Sequence, residues 1–324
     1  MNLGRTVAVR LLVFAASLFV ASMAIFLVVN ALPGDVATAI LGFGADPASV
    51  AGLRVRLGLD RPLLLRYLSW VGGMASGDMG RSYLTNESVT ALVAPRIAVT
   101  AWLVAFSMLI APLVALPVGM VAAVKRRSWQ GAAASTVSQI GLSIPAFYAG
   151  ILLVIVFAVG LRWLPANGYT DLVDAHGQWR PVAFVQHLVL PVTSLVIVQA
   201  SVLTRYVRSA FVEVLSEDYF RTARAVGWTR WRALWRHGVR NAAISVVTVI
   251  GLQLATLLVG AIVVEQVFRL PGLGTALLSA VANRDLIVVQ GIVMILVFAV
   301  LVINLLTDLS YLLIDPRLRN RDAR

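Results

Sequence analysis

Long stretches without charge are the feature that most limits what this chain can fold into. The run from Leu11 to Ala31 contains no charged residue, and neither does the run from Ile97 to Val124. A helix rises about 1.5 Å per residue, so about 20 apolar residues cross the hydrocarbon core of a bilayer. Only 13% of the 324 residues are charged and 60% are hydrophobic, against about 25% charged in ordinary soluble domains. The sequence therefore predicts an integral membrane protein.

Hydropathy divides the apolar sequence into six candidate spans. Their bounds are Leu11–Ala31, Ile97–Val124, Ala132–Gly160, Leu188–Val207, Ala242–Val264 and Leu286–Ile314. A transmembrane barrel would instead show strands of about 10 residues with alternating polarity, so helices are expected. The first run is about twice as long as the apolar core of a signal peptide and is predicted to remain as a membrane helix. Prolines that can kink a span are Pro112, Pro117, Pro145 and Pro191.

Basic residues are distributed unevenly between the connections. The segments 1–10, 125–131, 205–241 and 315–324 hold 17 of the 27 lysines and arginines. Such enrichment marks cytoplasmic loops, so both termini are predicted to be cytoplasmic. We expect three regions: 1–96, with the first helix and a long extracytoplasmic segment; 97–314, a membrane core of five helices that includes cytoplasmic helices at about 208–241; and a cytoplasmic tail, 315–324. Residues 50–75 and 88–96 have the pattern of short amphipathic helices at the outer membrane face.

The residue types that carry most enzyme chemistry are scarce. The chain has no cysteine and three histidines, and it contains neither an HExxH nor a GxSxG motif. Lys125 is the only lysine and follows Val124 instead of a glycine, so no phosphate-binding P-loop can form around it. We therefore expect no catalytic, metal or cofactor site in this chain. If nucleotide hydrolysis drives it, the hydrolysing site belongs to another chain.

Polar residues inside the spans are mostly neutral. Glu265 and Asp308 lie near the ends of spans five and six, where charge is less costly than at mid-membrane. The middle of the membrane holds Gln199, Gln253 and Asn304. This pattern favours a passive pathway that tolerates polar solutes over a proton relay, and these three residues are the candidates for its lining.

A basic segment stands between spans four and five. Residues 221–241 contain six arginines and three tryptophans but no acidic residue. The pattern predicts two short helices, 211–226 and one beginning at Trp228 or Thr229, separated by Gly227 as a C-cap. At 100° per residue the second helix has an aromatic face and a neighbouring basic face. Those faces are formed by Trp228, Trp231 and Trp235, and by Arg232, Arg236 and Arg240.

Four interpretations of this segment compete. A plain basic loop explains the sign of the charge but not the helical faces. Nucleic-acid binding is disfavoured because no DNA- or RNA-binding motif accompanies the segment. The remaining two are an interfacial helix lying on anionic lipid and a docking element for a cytoplasmic protein, since Trp and Arg are enriched in interfaces. Composition alone does not separate these two.

The helix pair split by glycine resembles the EAA loop of bacterial ABC importer permeases, the coupling helix that inserts into a groove of the ATPase subunit. Arg221, Thr222 and Ala223 stand where Glu-Ala-Ala is usual, and Gly227 follows at the proper spacing. "DYFRTARAVG" with "RHGVRNA" is similar to the dipeptide/oligopeptide/nickel branch of that superfamily. Further stretches resemble its B-type permease in order along the chain, namely "LPGDVA", "LGLDRPLLLRYLSWVGGMASGDMGRSY", "SIPAFYAGILLVIVFAV", "RWLPANGY", "EQVFRLPGLGTALLSAVANRDLIVVQG" and "DPRLR".

The resemblance implies a type I importer in the bacterial cytoplasmic membrane. Such a permease pairs with a homologous C-type subunit, two ATPases that bind ATP and Mg²⁺ lie beneath, and an extracytoplasmic binding protein delivers the substrate. The residues expected to couple to the ATPase are Arg221, Thr222, Ala223, Arg224, Gly227, Trp228, Arg232, His237 and Arg240. Because Ni²⁺ favours imidazole and only His187 lies close to a span, peptides are favoured over nickel. The rival class is a stand-alone carrier or channel whose basic helix pair lies on lipid.

Overall fold

A computed structural model describes residues 3–31, 36–41, 44–56, 58–174 and 176–314. The side chains of some helical residues in these ranges, among them 237 and 240–248, lie outside the description. The expected tail at 315–324 and most of the "LPGDVA" stretch also lie outside it. Throughout the described part the regular structure is helical, apart from isolated bridges at 81–88 and 173–179. This confirms the predicted all-α fold class.

Thirteen α-helices follow one another in the described chain. They are α1 Leu3–Ala31, α2 Val36–Leu41, α3 Pro47–Arg56, α4 Leu63–Ala75, α5 Val89–Val124, α6 Trp129–Ser143, α7 Ala146–Leu153, α8 Pro181–Ser216, α9 Asp218–Ala225, α10 Arg230–Ala233, α11 Val239–Phe268, α12 Leu273–Ala282 and α13 Leu286–Ile314. Wider π-helical turns continue α7 over Val154–Gly160 and α10 over Leu234–Gly238.

Five of these helices are long and apolar enough to cross a membrane, and α6 with α7 counts as a sixth span if the pair is taken together. The predicted spans are thus all helical, but several bounds differ. The amphipathic helix expected at 88–96 is the beginning of α5, which starts at Val89. The fourth span runs from Pro181 to Ser216, well beyond the predicted Leu188–Val207.

The third predicted span, Ala132–Gly160, was wrong as a single helix. The structure breaks it between Ser143 and Ala146, and the two halves meet at an angle of 101°. Ile144 is extended, with φ −94° and ψ 121°. Pro145 explains the break, because proline disfavours a helical conformation of the residue before it and has no N–H to donate.

Two compact units divide the described residues: those within 3–8, 100–270 and 303–314 form the first, and those within 9–99 and 271–302 form the second. In the first unit α8 packs against α6, α7 and α11. One close approach there involves Gly119, where a Cβ would lie 2.5 Å from Cγ1 of Val207. Any larger residue at Gly119 would force these helix backbones apart.

The second unit has its own apolar core. Val89 and Val93 at the start of α5 pack with residues of α12 and the start of α13, and Ile292 is fully buried among them. In the same unit α1 and α4 meet through aromatic rings, with centroids 5.4 Å apart for Phe26 and Tyr67. The compact units group the residues differently from the regions 1–96 and 97–314, and that division by membrane topology stays a prediction.

The connection from α7 to α8 contains a tight turn built on Asp174. Its carboxylate accepts hydrogen bonds from the backbone N–H groups of His176 and Gln178, both at 2.9 Å. Arg180 forms an ion pair with it at 2.9 Å. These contacts, the Gln178 N–H above all, hold the pKa of Asp174 below its usual range.

Candidate docking segment

The segment between α8 and α11 begins with a break that the sequence did not reveal. A single first helix over 211–226 was predicted, whereas α8 continues to Ser216 and Glu217 is extended, with φ −70° and ψ 147°. The shorter α9 then covers Asp218–Ala225. The prediction failed because the apolar pattern of α8 carries on through Phe211 and Val214, which are buried. The segment between the long helices α8 and α11 is therefore Asp218–Gly238, with Glu217 as the break.

Gly227 ends α9 as the sequence predicts. Its φ is 94°, a conformation that side chains other than glycine rarely adopt. The Gly227 N–H donates to the carbonyl of Arg224 at 3.1 Å, and the Trp228 N–H donates to that of Ala223 at 3.2 Å. These two bonds are those of a Schellman motif, which satisfies the last carbonyls of a helix. The chain thus reverses sharply between α9 and α10 without leaving these two carbonyls unpaired.

The second helix starts one or two residues later than predicted. It begins at Arg230, with Thr229 as its N-cap accepting a hydrogen bond from the Arg232 N–H at 3.3 Å. After Ala233 the backbone widens into the π-helical turn and then joins α11. Through this turn α10 is continuous with α11, which is long and apolar enough to cross a membrane, so a displacement of one is passed to the other.

Trp228 and two arginines form a stacked group on this segment. The guanidinium carbons of Arg232 and Arg236 lie 4.9 Å and 5.8 Å from the centre of the Trp228 ring. Cations over an indole ring are attracted to its π-electrons. Trp228 itself is half-buried, while Trp231 and Trp235 are exposed. The aromatic face predicted from helical spacing is thus divided: one tryptophan packs inward and two point to the surface.

An apolar cluster anchors the segment to the membrane helices. Phe220 of α9 is 4% exposed, and Leu234 is fully buried. They pack with Met120 of α5 and with Phe211 and Val214 of α8, and Trp228 lies against the same cluster. Burying a large apolar side chain contributes about 1.5–3 kcal/mol. Several such contacts make α9 and α10 a rigid extension of α5 and α8.

Four arginines surround a cleft of about 330 Å³ beside this cluster. Arg221 and Arg224 come from α9, Arg230 begins α10, and Arg126 comes from the turn after α5. Leu215 and Phe220 provide apolar lining. Two of the arginines have local partners: Arg221 forms an exposed ion pair with Asp218 at 3.3 Å, and Arg224 donates to the Trp228 carbonyl at 2.6 Å. The cleft is strongly positive and suits an anionic group of a partner.

The structure thus places most of the predicted coupling residues on one small segment. Arg221 and Arg224 line the cleft, Trp228 and Arg232 stack, and Gly227 forms the turn between them. Thr222 donates to the Asp218 carbonyl within α9, at 3.0 Å, and Ala223 packs against the apolar cluster. The side chains of His237 and Arg240 lie outside the described residues. The sequence analysis did not predict Arg126 as part of this site, because it is about 100 residues away from Arg221 in the sequence. Its position in the basic "KRR" stretch, which was predicted to be cytoplasmic, was the one indication that it lies on the same side of the membrane.

Of the three predicted pathway residues, two meet. Gln199 is 4% exposed and donates from Nε2 to the backbone carbonyl of Gln253 at 3.0 Å. Asn304 is exposed on α13. Glu265 lies near the end of α11, as predicted for span five; it is fully buried and accepts a 2.6 Å hydrogen bond from Thr100. Gln199 therefore ties α8 to α11, and its place in a substrate pathway stays a prediction.

The fold is that of the membrane subunit of an ABC transporter. A solved structure of the MetNI methionine ABC transporter in an inward-facing conformation matches with a TM-score of 0.55, covering 69% of this chain and 96% of that chain at 17% identity. The chain belongs to the family described as the binding-protein-dependent transport system inner membrane component, whose model matches residues 115–320. The model of the family's N-terminal region matches residues 4–104.

Named relatives span nearly the whole chain. A putative peptide transport system permease protein of Brucella abortus is 40% identical over 294 residues, which are 91% of this chain and 92% of the relative. The glutathione transport system permease protein GsiC of Salmonella choleraesuis is 41% identical over 310 residues, or 96% and 97%. These matches confirm the predicted membership of the ABC importer permeases.

Proposed function

We propose that this chain is the B-type permease subunit of an ATP-driven importer of short peptides and forms half of the pathway across the cytoplasmic membrane. The observation that carries the proposal is the full-length similarity to permeases named for peptide and glutathione transport. Glutathione is itself a peptide, so both names indicate one substrate class and favour peptides over nickel. Membership of a binding-protein-dependent family argues against a stand-alone carrier or channel.

In this proposal the pathway is completed by a homologous C-type permease. An extracytoplasmic binding protein supplies the peptide, and two ATPase subunits bind and hydrolyse ATP with Mg²⁺. The segment Asp218–Gly238 docks on one ATPase at the cytoplasmic face. Its shape supports this role, because a rigid helix–turn–helix joined to α8 and α11 passes on movement without bending. Closure of the ATPases would then shift the membrane helices between two arrangements.

The positive cleft indicates how the docking partner is recognised. With Arg126, Arg221, Arg224 and Arg230 around it, the cleft suits a carboxylate of the ATPase. In the generic motif an acidic residue stands where this chain has Arg221. We therefore expect the charges to be exchanged here, so that this chain contributes the basic residue and the ATPase contributes the acidic one.

Reconstitution tests the transport function. This chain would be placed in liposomes with a homologous C-type permease, the ATPases and the binding protein of the same organism, and with ATP inside. We expect uptake of labelled dialanine or glutathione that requires both ATP and the binding protein. Uptake of Ni²⁺ without peptide uptake, or peptide uptake without ATP, would contradict the proposal.

Charge reversal tests the docking cleft separately. Arg126→Glu combined with Arg230→Glu replaces attraction by repulsion. Because a hydrogen bond to a charged group contributes about 1.5–3 kcal/mol, ATPase recovery with the purified permease should fall at least about tenfold. Arg127→Glu is the matched control, since Arg127 is exposed in the same turn but does not line the cleft. Equal ATPase recovery with the double variant and the control would remove the cleft from the docking surface.

A further inference from the structure

A second cavity lies within the other compact unit, formed by residues 9–99 and 271–302, and shares no residue with the docking segment. It has a volume of about 380 Å³. The end of α1, one face of α4, the turn at 78–83 and the start of α13 line it. Neither the docking of an ATPase nor the predicted pathway residues involve this cavity.

Two residues that line the cavity carry buried hydrogen-bond donors that lack acceptors among the described residues. Gln290 is 6% exposed, and its Nε2 is buried with no hydrogen-bond partner among the described residues. The Nε1 of Trp70 is likewise buried without a partner there. Arg66 donates from Nη2 to Asn30 at 2.7 Å, and a guanidinium carries several further N–H donors. Leaving a buried donor unpaired costs free energy, which indicates a bound group with acceptor oxygens.

The charge of the lining is positive. Arg54 and Arg66 line the cavity, and the acidic residue among its described lining is Asp78, which already accepts a 2.9 Å hydrogen bond from the Gly80 N–H. Tyr83 adds a hydroxyl, and burial raises its pKa, so this group remains a protonated donor at neutral pH. Donors and positive charge together select an anion.

The helix that supplies Arg66 and Trp70 also faces lipid. On α4 these two residues share one face, and Leu64 and Leu68 lie on the opposite face at 100° per residue. Leu64 is 67% exposed and Leu68 is 55% exposed. If α4 lies at the outer membrane face, as the sequence predicts, its apolar face contacts acyl chains and the cavity behind it lies at headgroup level. The anion within reach of this position is a lipid phosphate.

We propose that this cavity binds the phosphate of an anionic phospholipid. Arg66 and the N–H groups of Trp70 and Gln290 donate to the phosphate oxygens, and the leucines of α4 rest among the acyl chains. The lipid would fix α4 against α1 and α13 at the membrane surface. This inference rests on the membrane setting of the chain and is independent of the substrate that the transporter carries.

Native mass spectrometry of the complete transporter tests the site, with phosphatidylglycerol as the probe. Arg66→Gln should weaken binding about tenfold. Trp70→Phe removes the N–H but keeps an aromatic ring, so it should weaken binding about threefold without unfolding the helix pair. Arg56→Gln is the control, because Arg56 is exposed on α3 and does not line the cavity. The thermal stability of each variant without added lipid shows whether the fold is intact.

Competition separates the sources of the anion. Inorganic phosphate and dialanine, each at a large excess, should leave the bound phosphatidylglycerol in place. Displacement by dialanine would make the cavity a peptide carboxylate site, and displacement by phosphate would make it a site for free anions. Either result overturns the proposal, and so does equal phosphatidylglycerol binding by Arg66→Gln, Trp70→Phe and the control.

Discussion

Substituting Gly227 tests whether the turn between α9 and α10 determines the shape of the docking segment. Its φ is 94°, and a Cβ placed there would meet no atom within 4 Å. Gly227→Ala therefore clashes with no neighbour, and its cost is backbone strain of about 1–2 kcal/mol. The two hydrogen bonds that close the turn contribute about 1 kcal/mol each. The strain is thus about as large as the stabilisation from these bonds.

A change of that size alters a conformational equilibrium about 5- to 30-fold. We expect ATP-driven peptide uptake by Gly227→Ala vesicles to fall by a factor in this range, with an unchanged amount of chain in the membrane. Asparagine tolerates a positive φ better than alanine. Gly227→Asn should therefore keep uptake within about threefold of the unmodified chain, although its side chain is larger.

Two results would refute this reasoning. Unchanged uptake and ATPase recovery with Gly227→Ala would show that the turn conformation does not matter for docking. Equal losses with Gly227→Ala and Gly227→Asn would show that the added side chain, and not the positive φ, disturbs the contact with the ATPase.

Three further predictions concern stability. Phe220→Ala removes a 4% exposed ring from the cluster that anchors α9, so the segment should lose about 3 kcal/mol and become sensitive to limited proteolysis. Gly119→Ala should lower the Tm of the purified chain, because its Cβ would lie 2.5 Å from a methyl carbon of α8, whereas Gly52→Ala meets nothing within 4 Å and should not. The lowered pKa of Asp174 stabilises its turn above about pH 4, and that contribution is lost as the pH falls through the folded-state pKa. The protection of the Gln178 amide against hydrogen exchange, measured relative to an unstructured amide at the same pH, should therefore fall on acidification, and Asp174→Asn should remove this dependence.

The sequence predicted the helical membrane fold because a long apolar run has few alternatives. It also predicted the glycine turn, since a positive φ after a helix has a strong residue preference. The bend before α7 was missed. Pro145 was recognised as able to kink its span, but nothing local distinguishes a modest kink from an angle of 101°.

The chemistry of the two cavities depends on contacts between distant parts of the chain. Arg126 reaches the docking cleft from a different connection than Arg221. Trp70 looks like an ordinary interface aromatic in the sequence, and its unpaired N–H becomes visible only in the folded chain, where Trp70 and Gln290 line the same cavity. Helical spacing placed Trp228 and Trp231 on one face but could not show that only Trp228 packs against the apolar cluster.

Single-cysteine crosslinking tests most directly whether Asp218–Gly238 contacts the ATPase. The chain has no cysteine of its own, so an introduced thiol is the only one in it. Ala225→Cys places a thiol on the exposed end of α9, and Gln178→Cys places one in the exposed turn of Asp174. With a reagent that joins cysteine to amines, Ala225→Cys in membrane vesicles should crosslink to the ATPase, and Gln178→Cys should not. An impermeant maleimide added to intact cells should label only Gln178→Cys. Labelling of Ala225→Cys from outside, without any crosslink to the ATPase, would contradict the account.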